Sequence, residues 1–221
     1  MKLYRMTLIV LIAIVLGVTI SPARAGTWAE VGDAGESIAT AQSTNGTGAL
    51  NTITGTLLTD PMNWPGFDVD IYCIEITSPV SNFSVILSTM PNHTETAPLY
   101  LFDALGFGVT AQEGFYNSNT PSMITGQFVP APGLYYLAIG QHDVLAEDAQ
   151  ENEMWDELGG GTGVESQPIN AGPLGQWTGF GGYYMPFGAY VMNLTGANFG
   201  NCGQATPAER SSWGRIKALY R

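Results

Sequence analysis

Short segments of apolar residues, separated by glycine, proline and asparagine, recur along this chain. The clearest is FDVDIYCIEI, from Phe67 to Ile76. Because side chains alternate along a strand, Tyr72, Ile74 and Ile76 fall on one face and Cys73 falls on the other. The pattern therefore predicts a strand whose tyrosine-aliphatic face packs on a core.

The same pattern predicts further strands at close spacing, each bounded by turn-forming residues. These strands are Ala49–Leu57, Asn82–Ser88, Pro98–Asp103, Met123–Phe128, Ala131–Gly140 and Gly188–Gly196. Many short strands with few helix-forming segments are typical of an all-β protein, so we expect an antiparallel, jelly-roll-like β-sandwich. An irregular insertion interrupts it. Residues 143–157 are rich in acids and predict a short helix around Met154 and Trp155, and a glycine-rich linker follows.

The first 25 residues have the features of a secretory signal peptide. Lys2 and Arg5 precede an apolar run from Met6 to Ile20, and Ala23-Arg24-Ala25 fits a signal-peptidase site. We expect a secreted or cell-surface protein with no membrane span in its mature part, the alternative being an uncleaved anchor. The remaining length suits one sandwich domain, residues 26–200, followed by a tail, residues 201–221.

Positive charge is absent from the predicted domain. No Lys or Arg lies between Gly26 and Glu209, although all nineteen acidic residues lie there. A phosphate backbone would be repelled, which argues against nucleic-acid binding. The acids must stay solvated, accept hydrogen bonds or bind metal ions. The four cationic residues of the tail leave three interpretations open: docking on the domain, a sorting signal, or a solvated end.

Calcium is the cofactor that these acids suggest, because Ca²⁺ prefers oxygen ligands. Asp68 and Asp70 precede or begin the Phe67–Ile76 strand, Asp103 ends another, and Glu30 with Asp33 lies in the lead-in. We predict that these five carboxylates converge on a Ca²⁺ site at the ends of the sandwich. The alternative is that they are solvated turn residues.

Two cysteines, Cys73 and Cys202, are the only ones in the chain. An even pair in an exported protein most simply forms one disulfide. Cys73 points away from the predicted core, and Cys202 follows the last strand. We therefore predict a bond that pins the end of the domain to the strand Phe67–Ile76.

Several short motifs, taken in order, resemble the bacterial pre-peptidase C-terminal domain family. They are GDAG (residues 32–35), DVDIYCIEI (68–76), LYLFDALGFG (99–108), PGLYYLAIG (132–140) and a terminal aliphatic strand. The resemblance covers roughly Trp28 to Gly196, with the acidic and glycine-rich insertion as a departure. It implies a compact β-sandwich with a non-catalytic, accessory role in exported proteins.

The leading hypothesis is therefore a secreted, non-enzymatic module that binds a cell-envelope protein or a glycan, or has a structural role there. The alternative is a carbohydrate-binding module that uses loop aromatics. Its candidate ligand-binding residues are Trp64, Trp155, Trp177 and Tyr183. A second alternative is a hydrolase that uses the acidic insertion. HExxH and GxSxG motifs are absent, and His142 is the only histidine close to those acids. The sequence does not specify an oligomeric state.

Overall fold

The computed structural model describes residues 26–57, 68–89, 97–114, 120–142, 144–156, 163–169, 172–179 and 188–203. Within these ranges the regular structure is β-strand, apart from two short 3-10 helices, Val80–Asn82 and Gly126–Phe128. The strands are β1 Gly26–Ala29, β2 Gln42–Ser43, β3 Leu50–Leu57, β4 Val69–Ile76, β5 Ser84–Thr89, β6 Leu99–Asp103, β7 Gly108–Gln112, β8 Met123–Thr125, β9 Gly133–Gly140, β10 Val144–Asp148, β11 Leu174–Gly179, β12 Gly188–Thr195 and β13 Ala197–Phe199.

Two sheets form the body of the protein. The first has the strand order β1-β3-β12-β5-β8, and the second has the order β13-β4-β9-β6-β7, with β2 also paired to β4. The predicted all-β sandwich is confirmed. Most neighbouring strands are antiparallel, but β1 pairs with β3 and β2 with β4 in parallel. Neither β1 nor β2 was among the predicted strands, because both are too short to show a clear alternation.

The main core lies between the two sheets. Tyr72, Ile74 and Ile76 of β4 are fully buried there, together with Ile53 of β3 and Met192 of β12 from the facing sheet. The predicted inner face of β4 is therefore confirmed. Burying an aliphatic side chain of this size stabilises the fold by roughly 1.5–3 kcal/mol.

A second core covers the outer face of the second sheet. Ile71 and Cys73 of β4 and Tyr100 and Phe102 of β6 project into it. The antiparallel pair β10 and β11 belongs to the layer above this face. The strand β4 is therefore buried on both faces over most of its length, which explains why its sequence is apolar almost throughout.

The helix predicted around Met154 and Trp155 is wrong. The acidic insertion contains strand β10, whose Val144 and Ala146 alternate inward to the second core, followed by a turn. Trp155 follows that turn and is only 2% exposed. Its ring centroid lies 5.5 Å from that of Tyr100 and 5.6 Å from that of Phe102. Packing against an aromatic sheet face thus overrides the local helical pattern.

Cys73 and Cys202 lie at disulfide distance, with their Cα atoms 5.7 Å apart. The bond starts from the outer face of β4, as the side-chain alternation predicts. It holds the segment after β13 against the centre of the second sheet.

Several sequence predictions concern residues outside the described ranges. They are the signal peptide (1–25), the tail beyond residue 203, Trp64, Tyr183, Asp143 and the glycine-rich residues 159–162. In the described part of the chain, no helix has the length and apolar character needed to cross a membrane.

The disulfide should contribute strongly to stability, because it joins positions 129 residues apart. In the unfolded chain such a link removes much conformational freedom, and native disulfides of this kind contribute about 2–5 kcal/mol. We predict that the double substitution Cys73→Ser/Cys202→Ser lowers the free energy of unfolding in urea by that amount. Equal unfolding free energies for the oxidised protein and the variant would contradict this role.

Candidate metal centre

Asp70 is an acidic residue inside the sandwich. It shares the inner face of β4 with Tyr72, and it is only 1% exposed. Tyr190, from β12 of the opposite sheet, donates a hydrogen bond to Asp70 Oδ2 at 2.6 Å. The Tyr72 and Tyr190 hydroxyl oxygens lie 2.5 Å apart. Because the Tyr190 proton is directed to Asp70, Tyr72 donates to Tyr190, and the polar chain connects the two sheets.

Gly55 makes room for this chain. It is the partner of Tyr190 in the β3–β12 pairing. A Cβ atom at Gly55 would lie 2.3 Å from the Tyr190 hydroxyl oxygen and 2.7 Å from Glu30 Oε2. Any larger residue would therefore displace either the tyrosine or the glutamate.

Glu30 and Asp33 approach Asp70 from the segment that follows β1. The main-chain N–H groups of Thr56 and Ala34 donate to Glu30 Oε2 and Oε1 at 2.8 and 3.2 Å. The N–H of Gly35 donates to Asp33 Oδ1 at 2.9 Å. Glu30 is half-buried and Asp33 is exposed. The backbone hydrogen bonds hold both carboxylates in position. The three acids differ in burial, from the exposed Asp33 through the half-buried Glu30 to the buried Asp70.

One oxygen from each of Glu30, Asp33 and Asp70 forms a group in which all members lie within 4.8 Å of one another. Oxygens that share a Ca²⁺ at its usual bond lengths lie no more than about 5 Å apart, so the spacing fits this ion. Two unit charges 4.8 Å apart repel by about 3.5 kcal/mol at an effective dielectric constant near 20. The cluster therefore needs a cation or a proton.

A second feature concerns a single oxygen of Asp70. Among the described residues, Asp70 Oδ1 is a buried side-chain oxygen that has no hydrogen-bond partner. Leaving a buried acceptor unsatisfied costs about 1–3 kcal/mol, and more for a charged group. A bound cation, or a proton on this oxygen, would remove that cost.

Burial dominates the electrostatics of the centre. The pKa of Asp70 is raised from 3.8 to about 8; burial is the largest cause, the neighbouring carboxylates of Asp68 and Glu30 add to it, and the hydrogen bond from Tyr190 opposes it. Burial, together with the nearby Asp70 carboxylate, also raises the pKa of Tyr72 and Tyr190. Both hydroxyls therefore remain protonated donors.

The other predicted calcium ligands lie differently. Asp68 is close enough for its charge to act on Asp70, but it is not a member of the three-residue cluster. Its main-chain N–H donates to Gln141 Oε1 at 3.2 Å.

Asp103 lies away from the cluster. It pairs with Tyr135 of β9, whereas Asp70 pairs with Ile139, four residues further along the same strand. At the usual rise per residue this separates the two positions by about 13 Å along the strand direction. The Asp103 carboxylate instead accepts the N–H groups of a turn, those of Leu105 at 2.8 Å and Phe107 at 3.0 Å.

The predicted ligand-binding aromatics within the described ranges are Trp155 and Trp177. Trp155 is buried in the second core, so its ring packs on protein rather than on a ligand. Trp177 packs against the same core, and its indole N–H donates to the Glu36 carbonyl at 2.7 Å. These contacts favour a structural role for both.

Two acids of the insertion, Asp148 and Glu147, accept hydrogen bonds from other groups of the protein. Asp148 Oδ1 accepts the main-chain N–H groups of Gln150 and Asn152 at 2.8 and 3.0 Å. Glu147 accepts the side-chain amide of Gln176 at 2.7 Å. These bonds close the turn after β10 and join β10 to β11.

His142 lies beside a different acid. Its Nδ1 is 2.5 Å from Oε1 of Glu113, a carboxylate that is 2% exposed. The sequence gives no indication of this pair, because the two residues are far apart in the chain.

Sequence reasoning identified the three clustered carboxylates but missed Tyr190 and Gly55 as parts of the centre. Tyr190 alternates with Met192 and Leu194 along β12, and the three are buried together. Nothing in the local pattern indicates which strand of the other sheet that face meets. The missing information was which strands of the two sheets face each other across the core.

Comparisons of the chain with protein-family models, curated proteins and solved structures found no match. The resemblance to the pre-peptidase C-terminal family therefore remains an expectation drawn from short motifs.

The raised pKa of Asp70 gives metal-free protein an unusual pH dependence. Between pH 3.8 and about 8, the unfolded chain loses the Asp70 proton while the folded protein keeps it. Stability from this residue is therefore fully present below pH 3.8 and is lost as pH rises through about 8. In EDTA, we predict that unfolding free energy falls with pH in this window by at most about 1.4 kcal/mol per unit.

The variant Asp70→Asn isolates this contribution, because an amide cannot ionise there but still accepts from Tyr190. The difference in unfolding free energy between the variant and the wild type should grow in favour of the variant from pH 5 to 9. Glu75→Gln, an exposed change on the same strand, is the matched control. If the unfolding free energies of the wild type and Asp70→Asn changed with pH in parallel, Asp70 would not be the group whose titration lowers stability.

Proposed function

We propose that this chain is an exported, non-catalytic β-sandwich module of the cell envelope that binds Ca²⁺ at Glu30, Asp33 and Asp70. The observation that carries the proposal is the buried, unsatisfied Oδ1 of Asp70 within a cluster of three carboxylates. A hard cation with oxygen ligands would satisfy this oxygen and relieve the repulsion at once.

The sequence offers no internal substitute for such a cation. There is no Lys or Arg between Gly26 and Glu209, so no salt bridge to these side chains can form within the domain. Ca²⁺ accepts six to eight oxygen ligands in irregular arrangements, so carbonyl groups or water can complete the shell. Mg²⁺ demands a near-ideal octahedron and is the poorer candidate for ligands held by separate strands.

Cation binding would have a structural consequence. Glu30 and Asp33 follow β1 at the edge of the first sheet, whereas Asp70 belongs to β4 of the second sheet. A shared ion would therefore tie the segment after β1 to the other half of the sandwich. Together with the Cys73–Cys202 link, it would fix both ends of the domain on the same strand.

Export and a non-catalytic role rest on further observations. The first 25 residues have signal-peptide character, and disulfides persist in oxidising compartments. The resemblance to the pre-peptidase C-terminal family supports an accessory role rather than catalysis. Glu147 and Asp148 already accept hydrogen bonds from Gln176 and Gln150 in the β10–β11 layer. These bonds weigh against a hydrolase that uses the two acids.

We predict that Ca²⁺ raises the thermal stability of the purified protein. Extracellular calcium modules bind with dissociation constants of about 0.1–1 mM, so 10 mM Ca²⁺ should stabilise the fold by roughly 1.4–2.7 kcal/mol. For a chain of this size that corresponds to an increase in Tm of about 3–10 °C. Calorimetric titration and melting in Ca²⁺ or EDTA measure the affinity and the shift.

Variants assign the effect to the centre. Asp70→Asn should abolish the Ca²⁺-dependent increase in Tm, and Glu30→Gln should weaken it, while Glu75→Gln should retain it. Binding heat and a Tm shift that persist in Asp70→Asn would place the ion elsewhere. Neither heat nor a shift at 10 mM Ca²⁺ would contradict the proposed cation binding.

A further inference from the structure

A cleft of about 540 Å³ lies beside the carboxylate cluster. Its walls come from β1, the segment that leads into β2, and the residues after β13, and they include Trp28, Gln42, Asn45 and Asn201. The volume falls in the range of small-molecule sites, roughly 300–1,000 Å³. Asn201 is next to Cys202, so the disulfide holds this wall in place.

Part of the cleft is organised by hydrogen bonds. The indole N–H of Trp28 donates to Gln42 Oε1 at 2.8 Å, and the N–H of Val31 donates to the same oxygen at 3.0 Å. The Gln42 side-chain amide in turn donates to the Val31 carbonyl at 3.0 Å. The aromatic ring and the amide are therefore held in place before any ligand arrives, which reduces the entropy lost on binding.

The residues that line the cleft indicate the chemical class of ligand that would fit it. Thr40, Gln42, Ser43, Asn45 and Asn201 all line the cleft. Hydroxyl and amide groups both donate and accept hydrogen bonds, as the hydroxyl groups of a sugar do. A purely apolar ligand would separate the exposed amides of Asn45 and Asn201 from water.

An anionic ligand is disfavoured for a separate reason. Asp33 contributes a carboxylate to the cleft wall, and Lys and Arg are absent from the domain sequence. Trp28 supplies a flat apolar surface of the kind that packs on a sugar ring. A neutral, hydroxyl-rich ring compound meets all of these conditions.

We propose that this cleft binds a neutral saccharide, with Trp28 as the packing surface and Asn45 and Asn201 as hydrogen-bonding side chains. The inference does not require the Ca²⁺ centre: Asp33 belongs to both, but Trp28, Asn45 and Asn201 lie outside the carboxylate cluster. It also differs from the aromatic set predicted from sequence, because Trp28 replaces Trp155 and Trp177 as the aromatic of the site.

A second cleft provides an internal comparison. It has a volume of about 590 Å³ and shares Asp33 and Thr40 with the first, but it is lined by Glu36, Gln176 and Trp177. Two carboxylate residues line it, Asp33 and Glu36, against one in the first cleft. Gln176→Ala is therefore a matched control for substitutions in the Trp28 cleft.

The test is a glycan-array screen of the purified full-length protein, followed by calorimetric titration with the neutral oligosaccharide that binds best. Each titration is run in Ca²⁺ and in EDTA. Asn45 and Asn201 are exposed, and each side chain makes a local hydrogen bond, from Asn45 to the Ser43 carbonyl at 3.3 Å and from the Gly203 N–H to Asn201 at 3.0 Å. The double variant Asn45→Ala/Asn201→Ala should therefore fold with at most a small decrease in Tm. We expect it to lose about 4- to 100-fold in affinity, since each hydrogen bond contributes a factor of about two to ten. Gln176→Ala should bind like the wild type.

Three results would overturn the proposal: no neutral glycan bound on the array or at millimolar concentration, a preference for anionic glycans, or loss of binding in Gln176→Ala with retention in the double variant. Saccharide binding in EDTA by a protein that shows no Ca²⁺ heat would support this inference while the cation proposal failed. The two proposals are thus separable in one set of titrations.

Discussion

The absence of Lys and Arg from residues 26–209 is the constraint that shapes this protein. No Lys or Arg within this segment can neutralise its carboxylates, so they are accommodated by other interactions. Asp103 and Asp148 accept backbone N–H groups in turns. Glu165 accepts hydroxyl protons from Thr110 and Thr125 at 3.2 and 2.7 Å. Among the described carboxylates Asp70 is the exception, because one of its oxygens is buried without a partner.

The residues around Asp70 come from both sheets of the sandwich. Tyr190 reaches it from the opposite sheet, Tyr72 continues the chain of hydroxyls, and Gly55 leaves space for the tyrosine ring. Such an arrangement is costly if incomplete, since an unsatisfied charged group in a low-dielectric interior is strongly destabilising. A cation that also contacts Glu30 would complete it, and stability and binding would then depend on the same residues.

Local patterns predicted those parts of the structure that local physics determines. The alternation along β4 correctly placed Tyr72 toward the main core and Cys73 toward the opposite face, because a strand has a fixed period of two. It could not show that this opposite face is also buried, by the layer that contains β10 and β11. That layer depends on long-range packing of Trp155, which overrode a helical pattern.

The candidate metal centre shows the same difference between what local sequence patterns indicate and what depends on long-range packing. Acid-rich turns and strand ends drew attention to Glu30, Asp33 and Asp70, whose oxygens lie together. The same reasoning included Asp103, which lies toward the other end of the sheet, because sequence does not give the register between β6, β9 and β4. Tyr190 was missed for the related reason that its partner comes from the opposite sheet.

The central claim is that a cation occupies the space between three carboxylates, and a crystal structure tests it most directly. Crystals grown with Tb³⁺, a luminescent and strongly scattering substitute for Ca²⁺, would be measured for anomalous differences. The account predicts a peak about 2.3–2.6 Å from oxygens of Glu30, Asp33 and Asp70, including the buried Asp70 Oδ1. A map without a peak there, in which Asp70 shares a proton directly with Glu30, would contradict it.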